Sequence, residues 1–163
     1  MKRIIYHWSG GSYRPNINDM LHYHFIVDNN AKVWVGKYRP EDNEKCQDDF
    51  YAAHTGGGNT ESIGIAFAGM FGFVSILNLG RFPLTKKQCE AGFELGAKLV
   101  KKYNLNLDNP MTIQTHYGFG KRNPQTSSVG KIDIIYLPPY PDISKNEIEN
   151  FIRGKVRWYF SKL

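Results

Sequence analysis

The sequence predicts one α/β domain, and three observations carry that prediction. The run Ser62 to Ala68 is almost wholly apolar and reads as a central strand buried on both faces. Two segments, one after Thr85 and one after Ser144, space their apolar residues at helical intervals. Strand-like runs alternate with these helices along 163 residues, a length that a single core can serve.

Residues 2–7 form the first expected strand, ending at His7. Gly10-Gly11-Ser12 and Arg14-Pro15-Asn16 then break regular structure, so 8–20 reads as loop. His22 to Asp28 is rich in aromatic and β-branched residues and forms the next strand. Asn29-Asn30 tolerates positive φ and suits a tight turn into the return strand Lys32–Gly36. From Tyr38 to Asn59 the chain is polar and irregular. It ends in His54-Thr55-Gly56-Gly57-Gly58, where successive glycines imply close backbone approach or a loop that moves. The Lys-Ser/Thr of a phosphate-binding loop does not follow them. After the central strand and a Gly-, Phe- and Leu-containing loop, Thr85 and Gln88 make a capping box. Cys89, Phe93, Gly96, Ala97 and Val100 share one stripe of the helix that follows. Gly92 and Gly96 cost about 1 kcal/mol each against alanine, so they are expected to permit close packing on the sheet. Met111 to Gln114 is a short strand leading to His116. The last helix, capped by Ser144 with Glu147, carries the stripe Ile148, Phe151, Ile152, Val156, Tyr159, Phe160 and Leu163. No repeat, linker or low-complexity tract divides the chain, so residues 1–163 are read as one domain.

Apolar content of 41% and charged content of 22% are those of an ordinary globular protein. No run approaches the ~18 apolar residues that cross a membrane, and the first residues turn polar too soon for a signal peptide. Cys46 and Cys89 make no disulfide framework and read as free thiols of a reducing compartment. The net charge of +6 favours polyanionic partners: nucleic acid, anionic lipid, or a bacterial wall. Charge alone does not choose among them.

The chemistry lies in His7, His116 and Asp133. Two imidazoles and a carboxylate that leave one position open are the ligand set of a catalytic zinc ion. A single histidine at a strand end is more often structural. Here two of the five histidines end strands and precede flexible sequence, which is where sites sit in sheet folds.

In order, His7, His22-Tyr23-His24-Phe25-Ile26-Val27-Asp28, Ala53-His54, Ser62-Ile63-Gly64-Ile65, a Leu-Thr-x-x-Gln helix, Thr115-His116 and Gly130-Lys131-Ile132-Asp133 resemble the zinc-dependent N-acetylmuramoyl-L-alanine amidases. That superfamily includes phage lysozyme-type amidases and peptidoglycan recognition proteins, and the likeness spans residues 2–137. It implies a central mixed β-sheet flanked by helices, with a zinc groove on one face. It implies Zn2+ bound by His7, His116 and Asp133, with Tyr23 and Lys131 assisting catalysis. His54, Thr55 and Gly56 would line the substrate groove. Peptidoglycan is the implied partner, with no nucleic acid and a monomeric chain. A chain made in the cytoplasm without a signal peptide suits a phage or prophage endolysin that reaches the wall after release; a cytoplasmic wall-recycling amidase is the alternative.

The chain also departs from the family. Relatives that use a catalytic glutamate carry it after Ser-Ile-Gly, where this chain has Ile65-Ala66-Phe67-Ala68. The 15 residues between His7 and Tyr23 suggest that a helix common there is missing. The 16 residues between His116 and Asp133 make 117–130 look like an inserted loop. Two rival functions follow from the same residues. A zinc-free wall-binding module is opposed by retention of the ligand set with Tyr23 and Lys131. A basic metal-dependent nuclease is opposed by the lack of a carboxylate cluster for two metals.

Overall fold

The computed structural model covers residues 1–163. Its sheet has five strands: β1 (Arg3–Trp8), β2 (Phe25–Val27), β3 (Val33–Val35), β4 (Ser62–Phe67) and β5 (Ile113–Thr115). They lie in the order β3-β2-β4-β1-β5. β1 is parallel to both β4 and β5, β2 is parallel to β4, and only the β2–β3 hairpin is antiparallel. The sheet is therefore mixed, and β4 is its middle strand. Every β4 residue is buried, which is why its sequence shows no polar alternation.

Alternation along β1 separates the two faces. Ile4, Tyr6 and Trp8 join Ile63, Ile65 and Phe67 in the main core. The helices α2 (Lys86–Tyr103) and α4 (Ile148–Phe160) close that core with Phe93, Ala97, Val100, Ile152 and Val156. Each of these larger side chains contributes roughly 1.5–3 kcal/mol by leaving water, and Ala97 less. The expected glycine contacts hold: a Cβ on Gly92 would strike the Phe67 ring, and one on Gly96 the Tyr6 hydroxyl. That close approach lets the Tyr6 hydroxyl donate to the Gly92 carbonyl at 2.9 Å. Thr85 and Gln88 form the expected capping box. Ile26, Ala66 and Ala68 line the opposite face as a small cluster against Met20, Tyr23 and Trp34. His7 lies on this thinner side.

Several local expectations change. Residues 8–20 are not all loop: α1 spans Ile17–His22, opened by an Asn16–Asp19 capping box. Six residues are too few for apolar periodicity to show, and α1 takes His22 out of the expected strand. A short helix thus stands between His7 and Tyr23, where the sequence reading expected none. In the hairpin, Ala31 rather than an asparagine takes positive φ, at 67°. The Asp28 carboxylate organises that turn by accepting from the Asn30 and Lys32 amides and from the Trp34 indole. Met111 and Thr112 belong to a 3-10 turn that precedes β5. His116 opens a helix, α3 (His116–Arg122), inside what looked like an inserted loop. α4 begins at Ile148 without a side-chain cap, because Ser144 to Glu147 closes a separate turn. Phe160 and Leu163, expected on its buried stripe, are 40% and 49% exposed.

Candidate metal centre and cleft

Two neighbouring parallel strands bring the histidines together. His7 sits near the end of β1, and β5 ends alongside it at Thr115. The Thr115 hydroxyl then accepts from the Gly118 amide and turns the chain into α3, so His116 follows the strand directly. The two rings approach with centroids 4.7 Å apart. Asp133 reaches them from the loop after α3, which is tied back by the Tyr117 amide donating to the Asp133 carbonyl at 2.7 Å.

His7 Nδ1, His116 Nδ1 and Asp133 Oδ2 face one another at 2.9, 3.1 and 3.2 Å. All three residues are buried, at 0%, 6% and 9% exposure. A tetrahedral zinc with bonds of about 2.0–2.1 Å separates its ligands by roughly 3.3 Å. The triangle matches that edge length, and these three residues are brought together as a group that could hold a metal ion.

The hydrogen-bond network assigns the protons in a way that suits such a site. Ser128 Oγ donates its hydrogen to the Gly56 carbonyl at 2.7 Å, so it can only accept from His116 Nε2, 3.0 Å away. His54 Nε2 faces the Ser62 carbonyl at 3.4 Å and must carry hydrogen there. His54 Nδ1 then accepts from the Thr55 hydroxyl at 2.7 Å, and the His7 Nε2 hydrogen is shared between that nitrogen at 3.1 Å and Thr55 Oγ1 at 3.3 Å. Both ligand histidines thus hold a proton on the outer nitrogen and aim Nδ1 inward. Burial lowers the pKa of His7, against the hydrogen bond and charge of Asp133, which raise it. Burial opposes the charge on Asp133, but its bonds to His116 and His7 prevail and keep its carboxyl below the ordinary range. Three converging acceptor atoms could hold a cation between them, and the donor set suits zinc.

A further layer supports His54. Burial, with the nearby His7 and His24 rings, pushes its pKa well below the usual value. Its ring lies against Gly64 of β4, where a Cβ would come within 2.6 Å of Cγ. Behind it, His24 accepts from the Gly64 amide and donates through Nε2 to Asn43, both at 2.9 Å. Burial holds His24 at about 4, outweighing the Asn43 bond that raises it. Asn43 also bonds both backbone groups of Ala52 and the Asn59 carbonyl. The irregular 38–59 segment is therefore anchored from inside.

The ligands open into a cleft of about 480 Å³, lined by Trp8, His22, Tyr23, Gly56, Lys131 and Asp133 among others. Tyr23 caps the end of α1, with its ring 5.2 Å from that of His7. Burial, then the charges of Asp133 and Asp19, raise its pKa, so the phenol keeps its proton. Lys131 is exposed at the cleft. Gly56 and the edge of the largely buried His54 line the cleft, whereas Thr55 is fully buried. These last two residues contact His7 from behind. Sequence reasoning missed Ser128, Asn43 and the cleft position of His22. Only a local signal could have found them, and a serine pair or a lone asparagine offers none.

The family described as N-acetylmuramoyl-L-alanine amidase matches residues 1–130. No curated protein matches the sequence. Among solved structures, the chain is similar to N-acetylmuramoyl-L-alanine amidase LysC from Clostridium intestinale URNW. That likeness has 16% identity and a TM-score of 0.58 over 96% of this chain and 85% of that one. A mutant of PlyL aligns at 18% identity and TM-score 0.50, over 96% and 84% of the two chains. At such identities these likenesses concern the fold.

Proposed function

This chain belongs to the N-acetylmuramoyl-L-alanine amidase family, and from that premise we propose that it hydrolyses the amide joining N-acetylmuramic acid to L-alanine in peptidoglycan. The observation that carries the reading is the convergence of His7 Nδ1, His116 Nδ1 and Asp133 Oδ2 at the floor of an open cleft. Zinc held there would supply Lewis acidity and a water ionised near neutral pH.

The chain's own groups complete the chemistry. The Tyr23 phenol, protonated at working pH, donates a hydrogen bond to the oxygen that gains charge as the carbonyl becomes tetrahedral. Lys131 adds positive charge at the same cleft. Ala66 is the β4 register partner of His7, so β4 supplies no carboxylate there to act as general base. Asp133 and the two histidines are held by neighbours and stay fixed while the substrate reacts. The basic surface, with net charge +6, suits an anionic wall. The role that fits is that of a phage or prophage endolysin acting on the cell wall.

The test is digestion of purified walls with mass spectrometry of the products. New L-alanine amino termini, without new reducing sugar ends, are expected, and plasmid DNA should stay intact. Asp133→Ala should lose zinc and activity together, while Asp142→Ala keeps both. Wall binding without any cleavage by zinc-loaded protein would refute the amidase reading in favour of a binding module.

A further inference from the structure

We propose that His54-Thr55-Gly56 and Ser128 form one clamp that orients both ligand histidines, with Ser128 the positioning residue for His116. The inference rests on the metal reading above and goes beyond it, because it gives residues expected to line the substrate groove a second role in the frame of the metal centre. Both outer nitrogens end on the same three consecutive residues. His7 Nε2 meets His54 Nδ1 at 3.1 Å and Thr55 Oγ1 at 3.3 Å. His116 Nε2 meets Ser128 Oγ at 3.0 Å, and Ser128 passes its own hydrogen to the Gly56 carbonyl at 2.7 Å.

The frame is itself rigid. The Asn59 side chain accepts from the His54 and Thr55 amides at 2.9 and 2.7 Å, and the Gly58 amide closes the turn on the Thr55 carbonyl at 2.8 Å. Ser128 and Thr55 are both 0% exposed, so water cannot replace either hydroxyl. Without Ser128 Oγ, the His116 Nε2 hydrogen is buried with no acceptor. The ring then loses both its preferred tautomer and its fixed direction. Without Thr55 Oγ1, the His7 Nε2 hydrogen loses one of its two acceptors and His54 Nδ1 its close donor, and the line to His7 loosens. A displacement of this one turn would reach both imidazoles at once.

The experiment measures zinc affinity by chelator competition, and the visible spectrum of the cobalt-substituted protein, for the parent, Ser128→Ala, Thr55→Val and the exposed-site control Ser144→Ala. Metal-free thermal midpoints report folding separately. Partners of this kind set metal affinity, and Ser128→Ala and Thr55→Val should each weaken zinc about 10- to 100-fold and alter the cobalt bands. Ser144→Ala should match the parent. Zinc affinity within twofold of the parent for Ser128→Ala, with an unchanged cobalt spectrum, overturns the proposal. If Ser128→Ala does not fold, Thr55→Val decides alone, by the same two criteria. A parent that binds neither metal removes the metal reading itself, which differs from a parent that binds both and variants that bind equally.

Discussion

Gly64→Ala tests whether the sheet supports the metal centre. Gly64 lies in β4 at a backbone angle open to any residue, so the substitution carries no conformational strain. Its cost is contact. The new methyl would lie 2.6 Å from His54 Cγ, 2.8 Å from Cδ2 and 3.0 Å from Nδ1. Ordinary carbon contacts lie at about 3.5–4.0 Å, so the ring must retreat by about 1 Å. It has little room to do so, with His7 Nε2 at 3.1 Å and Thr55 Oγ1 at 2.7 Å from Nδ1. Overpacking of this kind costs about 1–3 kcal/mol. With a urea slope of about 1–3 kcal/mol/M, the unfolding midpoint should fall by roughly 1 M. Zinc affinity should fall as well, since His54 moves with His7. Gly154→Ala is the control: it is exposed in α4, and its Cβ would meet nothing within 4 Å. That change should add about 1 kcal/mol of helix stability and leave zinc binding alone. Urea melts of zinc-free protein and chelator titrations give both readouts. A Gly64→Ala variant as stable as the parent, with the same zinc affinity, would refute the packing argument.

Two more predictions concern buried His24 and the cleft residues Tyr23 and Lys131. His24 has a folded pKa of about 4 against an ordinary 6.5, so the unfolded chain takes up its proton first as pH falls. Its stabilising effect is complete above about pH 6.5 and is lost towards pH 4, by about 3 kcal/mol. Urea melts of zinc-free parent and His24→Gln across that range should show a shallower pH slope for the variant; equal slopes would contradict the assignment. Tyr23→Phe and Lys131→Ala should keep stoichiometric zinc and lose about 100- to 1,000-fold in kcat on a soluble muropeptide. Parent-like turnover by Tyr23→Phe would make the tyrosine a packing residue only.

Much of the architecture was legible because it is written in local pattern. The β4 run lacks polar residues because both its faces are covered, and the α2 stripe repeats at helical spacing because one side meets the sheet. The Thr85–Gln88 box and the order of the two histidines and Asp133 are likewise local, and they are enough for the family resemblance. α1 escaped because six residues show no period, and the α4 start was misplaced because Ser144 and Glu147 satisfy a turn as well as a cap.

By itself, then, the sequence determined the fold class, the central strand, the long helices and the candidate ligand set, each through residues near one another in the chain or through their order along it. Only the tertiary structure decided which nitrogen of each histidine faces the metal position and what holds it there. Those choices depend on bonds such as His7 to His54, His24 to Gly64 and Ser128 to Gly56, between residues 47, 40 and 72 positions apart. Such contacts exist only once β1, β4 and β5 are aligned in register and the 54–58 turn is packed beneath them. A hydroxyl or an imidazole has the same local signature whether it faces solvent, substrate or another histidine. Its partner, and hence its proton, is set by the fold.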